Sequence, residues 1–301
     1  MQDTINKPGH IAVWFQQIRG PFLILAVVLT LIGIAAARRD GTGHWPHAVL
    51  LLIGVTLAHV SVNLFNELSD HQTGIDRHTV RTPFSGGSGM MQAGFTRPGT
   101  VSLVAWTALA VAAGIGIYFI LIRGWMILFF MLSGGIAIRF YTSHLARWLI
   151  GEAVSGIALG SFVVLGVYHA LSGRLTPAVL WLSIAPGILT ALLLFLNEFP
   201  DLEADRRGGR RHLLIKFGRR RCARIYGVVM ALVYVVIAIS PLLVDLPATL
   251  WVALATLPLA LVATVTVLKH HDDLERMVPA LGMNVAVVII TDFLLAVGLS
   301  V

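Results

Sequence analysis

Asn66-Glu67-Leu68-Ser69-Asp70-His71-Gln72-Thr73-Gly74-Ile75-Asp76 closes one long apolar segment, and Asn197-Glu198-Phe199-Pro200-Asp201-Leu202-Glu203-Ala204-Asp205 closes another. Positions i and i+4 of a helix lie on one face, one turn apart. Asn66 and Asp70 therefore point the same way, as do Asn197, Asp201 and Asp205. Seven of the 15 acidic residues of this 301-residue chain fall in the two stretches. Like charges gathered at the ends of apolar helices repel, so a cation must hold them together. A pair of Mg²⁺ ions is the simplest candidate, because Mg²⁺ takes carboxylate oxygens together with those of a substrate phosphate.

The rest of the composition says where these helices run. Residues are 57% hydrophobic and 12% charged, and mean hydropathy is +0.84, the profile of an integral membrane protein. A bilayer core takes about 20 apolar residues per helix. On that basis nine spans are expected, over 21–37, 47–69, 100–122, 124–141, 150–171, 177–199, 222–244, 248–268 and 278–300. The first reads as a retained helix rather than a signal peptide, since no small-residue cleavage site follows it. The single cysteine, Cys222, excludes an internal disulfide framework.

Charge distribution sets the orientation. With the N-terminus cytoplasmic, 18 of the 22 basic residues lie inside and only Arg38, Arg39, Arg123 and Arg174 outside. The positive-inside rule favours that arrangement. It places both acidic motifs on the cytoplasmic side of an inner membrane and the C-terminus on the other. The net charge of +7 is concentrated in the run from Arg206 to Arg224. That run has three readings: an anchor to anionic headgroups, a nucleic-acid patch, or a source of cations for a diphosphate. Phe217 is the one aromatic residue within it, too sparse an interleaving for nucleic acid. Arg206 and Arg210 stand nearest the carboxylates and are the better placed for substrate.

The second span carries His59, Asn63, Asn66, Glu67 and Asp70 at spacings of one to four, a polar stripe through much of the bilayer. Charged groups facing lipid at a helix centre cost about 2.5–3.5 kcal/mol each, so the stripe faces inward. Interhelical hydrogen bonding is the other reading for His59 and Asn63. Beyond Gly74, the loop through Arg81 to Gly89 is rich in Gly and Ser, a weak phosphate-cradle signal. Glu152 opens the fifth span and either pairs with Arg147 or orients a ligand. Pro200 removes a backbone hydrogen bond within the second motif. Asp292 lies inside the ninth span and needs a partner, for which Asn284 is two turns away.

Asn66 and Asn197 are 131 residues apart and hold the same place in two four-helix units. An even number of helices per unit gives a parallel repeat about the membrane normal. The expected architecture is all-α: one domain over 1–301, with repeats 11–141 and 150–268 and a ninth helix 278–300 around a central cavity.

These motifs resemble those of the UbiA superfamily of membrane prenyltransferases. The likeness spans the chain and includes Arg19-Gly20-Pro21, Tyr141-Thr142, Gly151-Glu152 and the continuation Gly209-Arg210-Arg211-His212-Leu213. Asn66-x-x-x-Asp70-x-x-x-Gly74-x-Asp76 looks most like the MenA branch, which prenylates 1,4-dihydroxy-2-naphthoate. Departures are Glu67 for the usual Asp, Arg210 for Lys, and His212 where Thr is common. The resemblance implies Mg²⁺-dependent transfer of a prenyl chain from an allylic polyprenyl diphosphate to an aromatic acceptor, through an allylic carbocation. It implies two ions held by Asp70, Asp76, Asp201 and Asp205, with Asn66 and Asn197 as neutral ligands to metal and phosphate. Arg19, Arg81 and Arg210 would add fixed charge on the diphosphate, and Tyr141 would offer its π face to the cation. His59, Asn63 and Glu152 would border the acceptor, His59 either taking the ring proton or packing as a satisfied histidine. Two rivals remain at this stage. One is a membrane terpene cyclase that needs no acceptor; the other is an ion-coupled transporter, whose site belongs near the midplane.

Overall fold

The computed structural model describes residues 9–74, 82, 86–140, 151–207 and 209–301, the side chains of 137–140 excepted. All regular structure among them is helical. A short α1 (His10–Gln17) precedes α2 (Leu23–Arg39), α3 (Trp45–Thr73), α4 (Pro98–Arg123) and α5 (Met126–Phe140). Next, α6 (Gly151–Ser155) passes through a π-helical turn, Gly156–Ser161, into α7 (Phe162–Ser172). Then come α8 (Pro177–Leu182), α9 (Ile184–Arg207), α10 (Leu213–Phe217) and α11 (Arg219–Leu243). A 3₁₀ stretch, Ala248–Thr256, leads into α12 (Leu257–His270), and α13 (Leu274–Ser300) closes the chain.

Eight of these helical stretches are long and apolar enough to cross a bilayer. The remaining expected span, 124–141, corresponds to α5, whose apolar part over Met126–Ile136 is shorter. Starts and stops follow the local chemistry. Trp45-Pro46 opens α3, where proline's missing N–H costs nothing. Gly74 ends it in the left-handed region at φ 73°, a conformation that favours glycine. By contrast α9 runs unbroken through Pro200 to Arg207, so the second motif is helical throughout.

Core and lipid faces separate cleanly. The middle helix, α2, is buried over most of Leu25 to Ala37, with Val27 and Leu31 partly exposed on one face, and packs on α13, α7 and α3. Leu103, Leu121 and Val228 on α4 and α11 point outward, as lipid contact requires. Where α9 meets the π-helical turn the backbones nearly touch: a Cβ on Gly160 would stand 2.8 Å from the Cα of Gly187, and one on Gly156 2.6 Å from its carbonyl oxygen. Small residues four apart allow this approach between membrane helices. It seats α9, and hence the second motif, against α6.

The four basic residues expected at the far end are each engaged there. Arg39 pairs with Asp245 at 3.0 Å and Arg174 with Asp40 at 3.4 Å. Arg123 donates to the carbonyls of Ala170 and Leu171, and Arg38 lies 4.8 Å over the ring of Trp45. Asp292 does not bond to Asn284. That amide bonds instead to the Tyr226 hydroxyl and the Leu192 carbonyl, while both Asp292 oxygens are buried without a hydrogen-bond partner among the described residues.

Candidate active site

Arg210 joins the two acidic motifs. Its Nη1 donates to Asp205 Oδ1 at 2.7 Å, and its Nη2 forms an ion pair with Asp70. Asp70 lies one turn from the end of α3 and Asp205 in the last turn of α9, so residues 135 positions apart in the chain share one guanidinium. A planar fork with donors in fixed directions suits this bridging better than a point charge. Asp201, one turn before Asp205, has a buried Oδ1 without a hydrogen-bond partner among the described residues, and so has Asn197 at Oδ1. Buried acceptors left open cost about 1–3 kcal/mol each, and here they sit on the face shared with Asp205. Asn66 occupies the matching face of α3.

These donors are oxygens from carboxylates and amides, the set that hard dications such as Mg²⁺ prefer. The open oxygens of Asn197 and Asp201 fit such an ion. Among the described residues, Arg19 and Arg210 are the cations that act on Asp70 and Asp201. Asp76, Arg81 and Tyr141 lie outside the described residues.

Neighbouring residues have other tasks. Glu67 is fully buried and receives Arg19 Nε at 2.9 Å, the Ser88 N–H at 2.7 Å and the Ser88 hydroxyl at 2.6 Å. It pins Arg19, whose own backbone is left-handed at φ 53° before Gly20-Pro21, and the 86–89 loop to α3. Asn63 donates to the Ile18 carbonyl at 2.9 Å and so ties the N-terminal arm to the same helix. Arg206 is half exposed beside Glu203 at 3.5 Å, away from the Arg210 bridge.

Glu152 accepts from the Leu213 N–H at 3.0 Å, at the start of α10. His212 lies between Glu198 and Asp205, each ring nitrogen 3.2 Å from a carboxylate oxygen, at ion-pair distance but without hydrogen-bond alignment at the ring. Burial lowers the imidazole's proton affinity, but Asp205 and Glu198 outweigh it and push the pKa up to about 9. The Glu152–Leu213 contact joins residues 61 apart, and motif spacing carries no signal for it or for the way the chain turns His212 back onto α9.

Further along α3 an apolar chamber of about 410 Å³ opens between α3, α4, α5 and α7. Val55, His59, Ala112, Phe130 and Phe162 are among its walls. His59 Nδ1 bonds to the Val55 carbonyl at 3.1 Å, which makes Nδ1 the protonated nitrogen. From Asp70 to the nearest wall residue of α3, Val62, the helix rises about 12 Å.

Residues 26–286 match the model of the UbiA prenyltransferase family. The chain belongs to that family. Among curated relatives it is 25% identical to a 2-carboxy-1,4-naphthoquinone phytyltransferase of Synechocystis, over 90% of this chain and 87% of that protein. It is 27% identical to a 1,4-dihydroxy-2-naphthoate octaprenyltransferase of Bacillus subtilis, where the match spans 62% of this chain and 59% of the relative. The corresponding Escherichia coli protein is 23% identical over 98% of this chain and 97% of its own length. In fold the chain is similar to an apo UbiA homolog from Aeropyrum pernix, with TM-score 0.70 and 18% identity over 90% and 95% of the two chains. It is also similar to one from Archaeoglobus fulgidus bound to GPP and Mg²⁺, with TM-score 0.58 and 16% identity over 95% and 99%. This UbiA-family chain is a multi-pass membrane prenyltransferase, related in sequence to proteins named as naphthoate prenyltransferases.

Proposed function

We propose that the chain transfers a prenyl group from an allylic polyprenyl diphosphate to 1,4-dihydroxy-2-naphthoate or a closely related quinone precursor. The observation that carries this reading is the Arg210 bridge, which brings Asp70 and Asp205 to one place beside the open oxygens of Asp201 and Asn197. A diphosphate needs such a convergence of cation-binding carboxylates and a fixed guanidinium. The curated relatives, named for naphthoate or naphthoquinone prenylation, support the acceptor class.

Asp70, Asp201 and Asp205, with Asp76, would hold two Mg²⁺ ions, and Asn66 and Asn197 would complete the oxygen shell. Bound there, Mg²⁺ neutralises charge that develops on the departing diphosphate. Arg210 supplies fixed positive charge on the same group and keeps the two motifs in register. Arg19 is held for that purpose by Glu67, and Arg81 and Tyr141 are proposed to face the same substrate. The hydrocarbon chain would run along α3 into the chamber, whose apolar walls exclude water from the allylic carbon. His59, Asn63 and Glu152 are proposed to border the acceptor. All the clustered carboxylates lie near the ends of α3 and α9, whereas a transporter site belongs near mid-membrane. We place this end on the cytoplasmic face.

The test is product analysis with purified full-length protein, Mg²⁺, prenyl diphosphates of several lengths and a panel of aromatic acceptors. A prenylated naphthoate is expected, abolished by chelator and reduced at least ~100-fold in Asp70→Asn and Asp201→Asn, in line with loss of transition-state charge stabilisation. Cyclised hydrocarbon formed without acceptor, or full transfer by both variants, overturns the proposal.

A further inference from the structure

We infer that Glu152, Glu198 and His212 form a second metal site, selective for Zn²⁺, distinct from the Asp-rich oxygen site. Three separate segments supply the donors: the first turn of α6, the middle of α9 and the connection before α10. One donor atom from each lies within 4.8 Å of the other two, and all three residues are buried, with 5%, 8% and 3% of their surface exposed. Glu152 spends Oε1 on the Leu213 N–H, while its Oε2 is buried with no hydrogen-bond partner among the described residues. That open oxygen is what a cluster held together by hydrogen bonds alone does not explain.

Charge points the same way. Asp205, one neighbour of the imidazole, already has Arg210. His212 is then the single remaining cationic group among the described contacts of Glu198 and Glu152. Two buried carboxylates and one imidazole converge there from three segments, an arrangement that a bound dication joins directly.

The outer contacts suit a ligating histidine. With His212 Nδ1 on the metal beside Glu198, Nε2 faces Asp205 Oδ2 at 3.2 Å. A carboxylate behind a metal-bound imidazole fixes its orientation. One nitrogen and two oxygens suit Zn²⁺, whereas Mg²⁺ favours an all-oxygen octahedron. Tetrahedral Zn²⁺ wants donors about 3.3 Å apart, which a swing of Glu152 Oε2 achieves. The bound ion would clip α6, α9 and the Arg210-bearing connection together and hold Asp205 in place.

The experiment uses full-length protein in detergent, stripped by chelator and dialysed against Zn²⁺ with millimolar Mg²⁺ present. Elemental analysis is expected to find about one Zn²⁺ per chain, and X-ray absorption to show an imidazole nitrogen in its shell. Glu152→Gln should weaken Zn²⁺ binding at least ~10-fold, the scale of losing one ligand. Asp201→Asn and His271→Asn, which alter the Asp-rich site and the separate His271–Asp272 pair, should leave it unchanged. No retained Zn²⁺, a shell of oxygens only, or loss of binding in Asp201→Asn or His271→Asn with retention in Glu152→Gln overturns the inference. Should Glu152→Gln fail to fold, the absorption spectrum of wild type against His271→Asn decides: imidazole persisting in both supports the site, and its loss in His271→Asn refutes it. Prenyl transfer is not the readout, so failure here leaves the proposed reaction standing.

Discussion

Glu67 and Glu198 hold the same place in the two motifs, each directly after the asparagine, yet they solve the problem of a buried carboxylate in opposite ways. Glu67 is surrounded by donors: the Arg19 guanidinium, the Ser88 N–H and the Ser88 hydroxyl. Glu198 faces His212, with a second carboxylate, Glu152, alongside. One half of the protein thus neutralises its glutamate with its own chain. The other half sets two carboxylates beside a single histidine among the described residues. A repeated sequence pattern fixes where a side chain points, and the loops packed against it decide its electrostatics.

The sharpest way to break this contrast is to remove the charge from each glutamate without changing its size. Glu67→Gln puts an amide N–H₂ against donors and removes the buried charge that Arg19 pairs with. It should cost about 3 kcal/mol of stability, the low end for breaking a buried ion pair, read as a fall in thermal midpoint in detergent. Glu198→Gln removes one of two carboxylates that lie beside a single histidine, and in chelator-stripped protein should cost less than about 1 kcal/mol. Equal losses in the two variants would show that Glu198 is as well compensated as Glu67.

A smaller effect is expected at the link between the halves. Arg210→Lys keeps the positive charge but cannot donate in a fork to both Asp70 and Asp205. Prenyl transfer should fall roughly tenfold, about 1.4 kcal/mol in the barrier, with the melting temperature little changed. An undiminished rate would mean that charge alone, without the bridge, holds the motifs together.

Much of this was readable in the chain. The expected span 47–69 appears as Trp45–Thr73, 222–244 as Arg219–Leu243 and 278–300 as Leu274–Ser300. Each helix overruns its apolar run because the backbone ladder needs no apolar side chains to continue into polar ends. Position on a helical face was legible too, since Asn197, Asp201 and Asp205 keep their spacing through an unbroken α9. Partners were not. Asn284 looked available to Asp292 by spacing along one helix, but Tyr226, 58 residues away, takes its amide oxygen. Arg147, the partner that proximity in sequence suggests for Glu152, lies outside the described residues; among those described, Glu152 accepts from the backbone of Leu213, 61 residues on. Periodicity reports which way a side chain faces within its own element, and it is silent on what another element brings to meet it.

The same limit explains Arg206, which stands one residue after Asp205 and in sequence is as plausible a diphosphate ligand as Arg210. Four residues further along, the chain has left the helix, and Gly209 at φ 76° turns it so that Arg210 comes back over the carboxylates. Arg206, still on α9, has its side chain 55% exposed beside Glu203, itself 63% exposed. Exposed pairs three apart on a helix contribute about 0.3–0.5 kcal/mol at most. Arg206→Ala should therefore leave both melting temperature and prenyl transfer within twofold of wild type. A tenfold loss of transfer would place Arg206 on the substrate and make the turn at Gly209 less selective than its geometry implies.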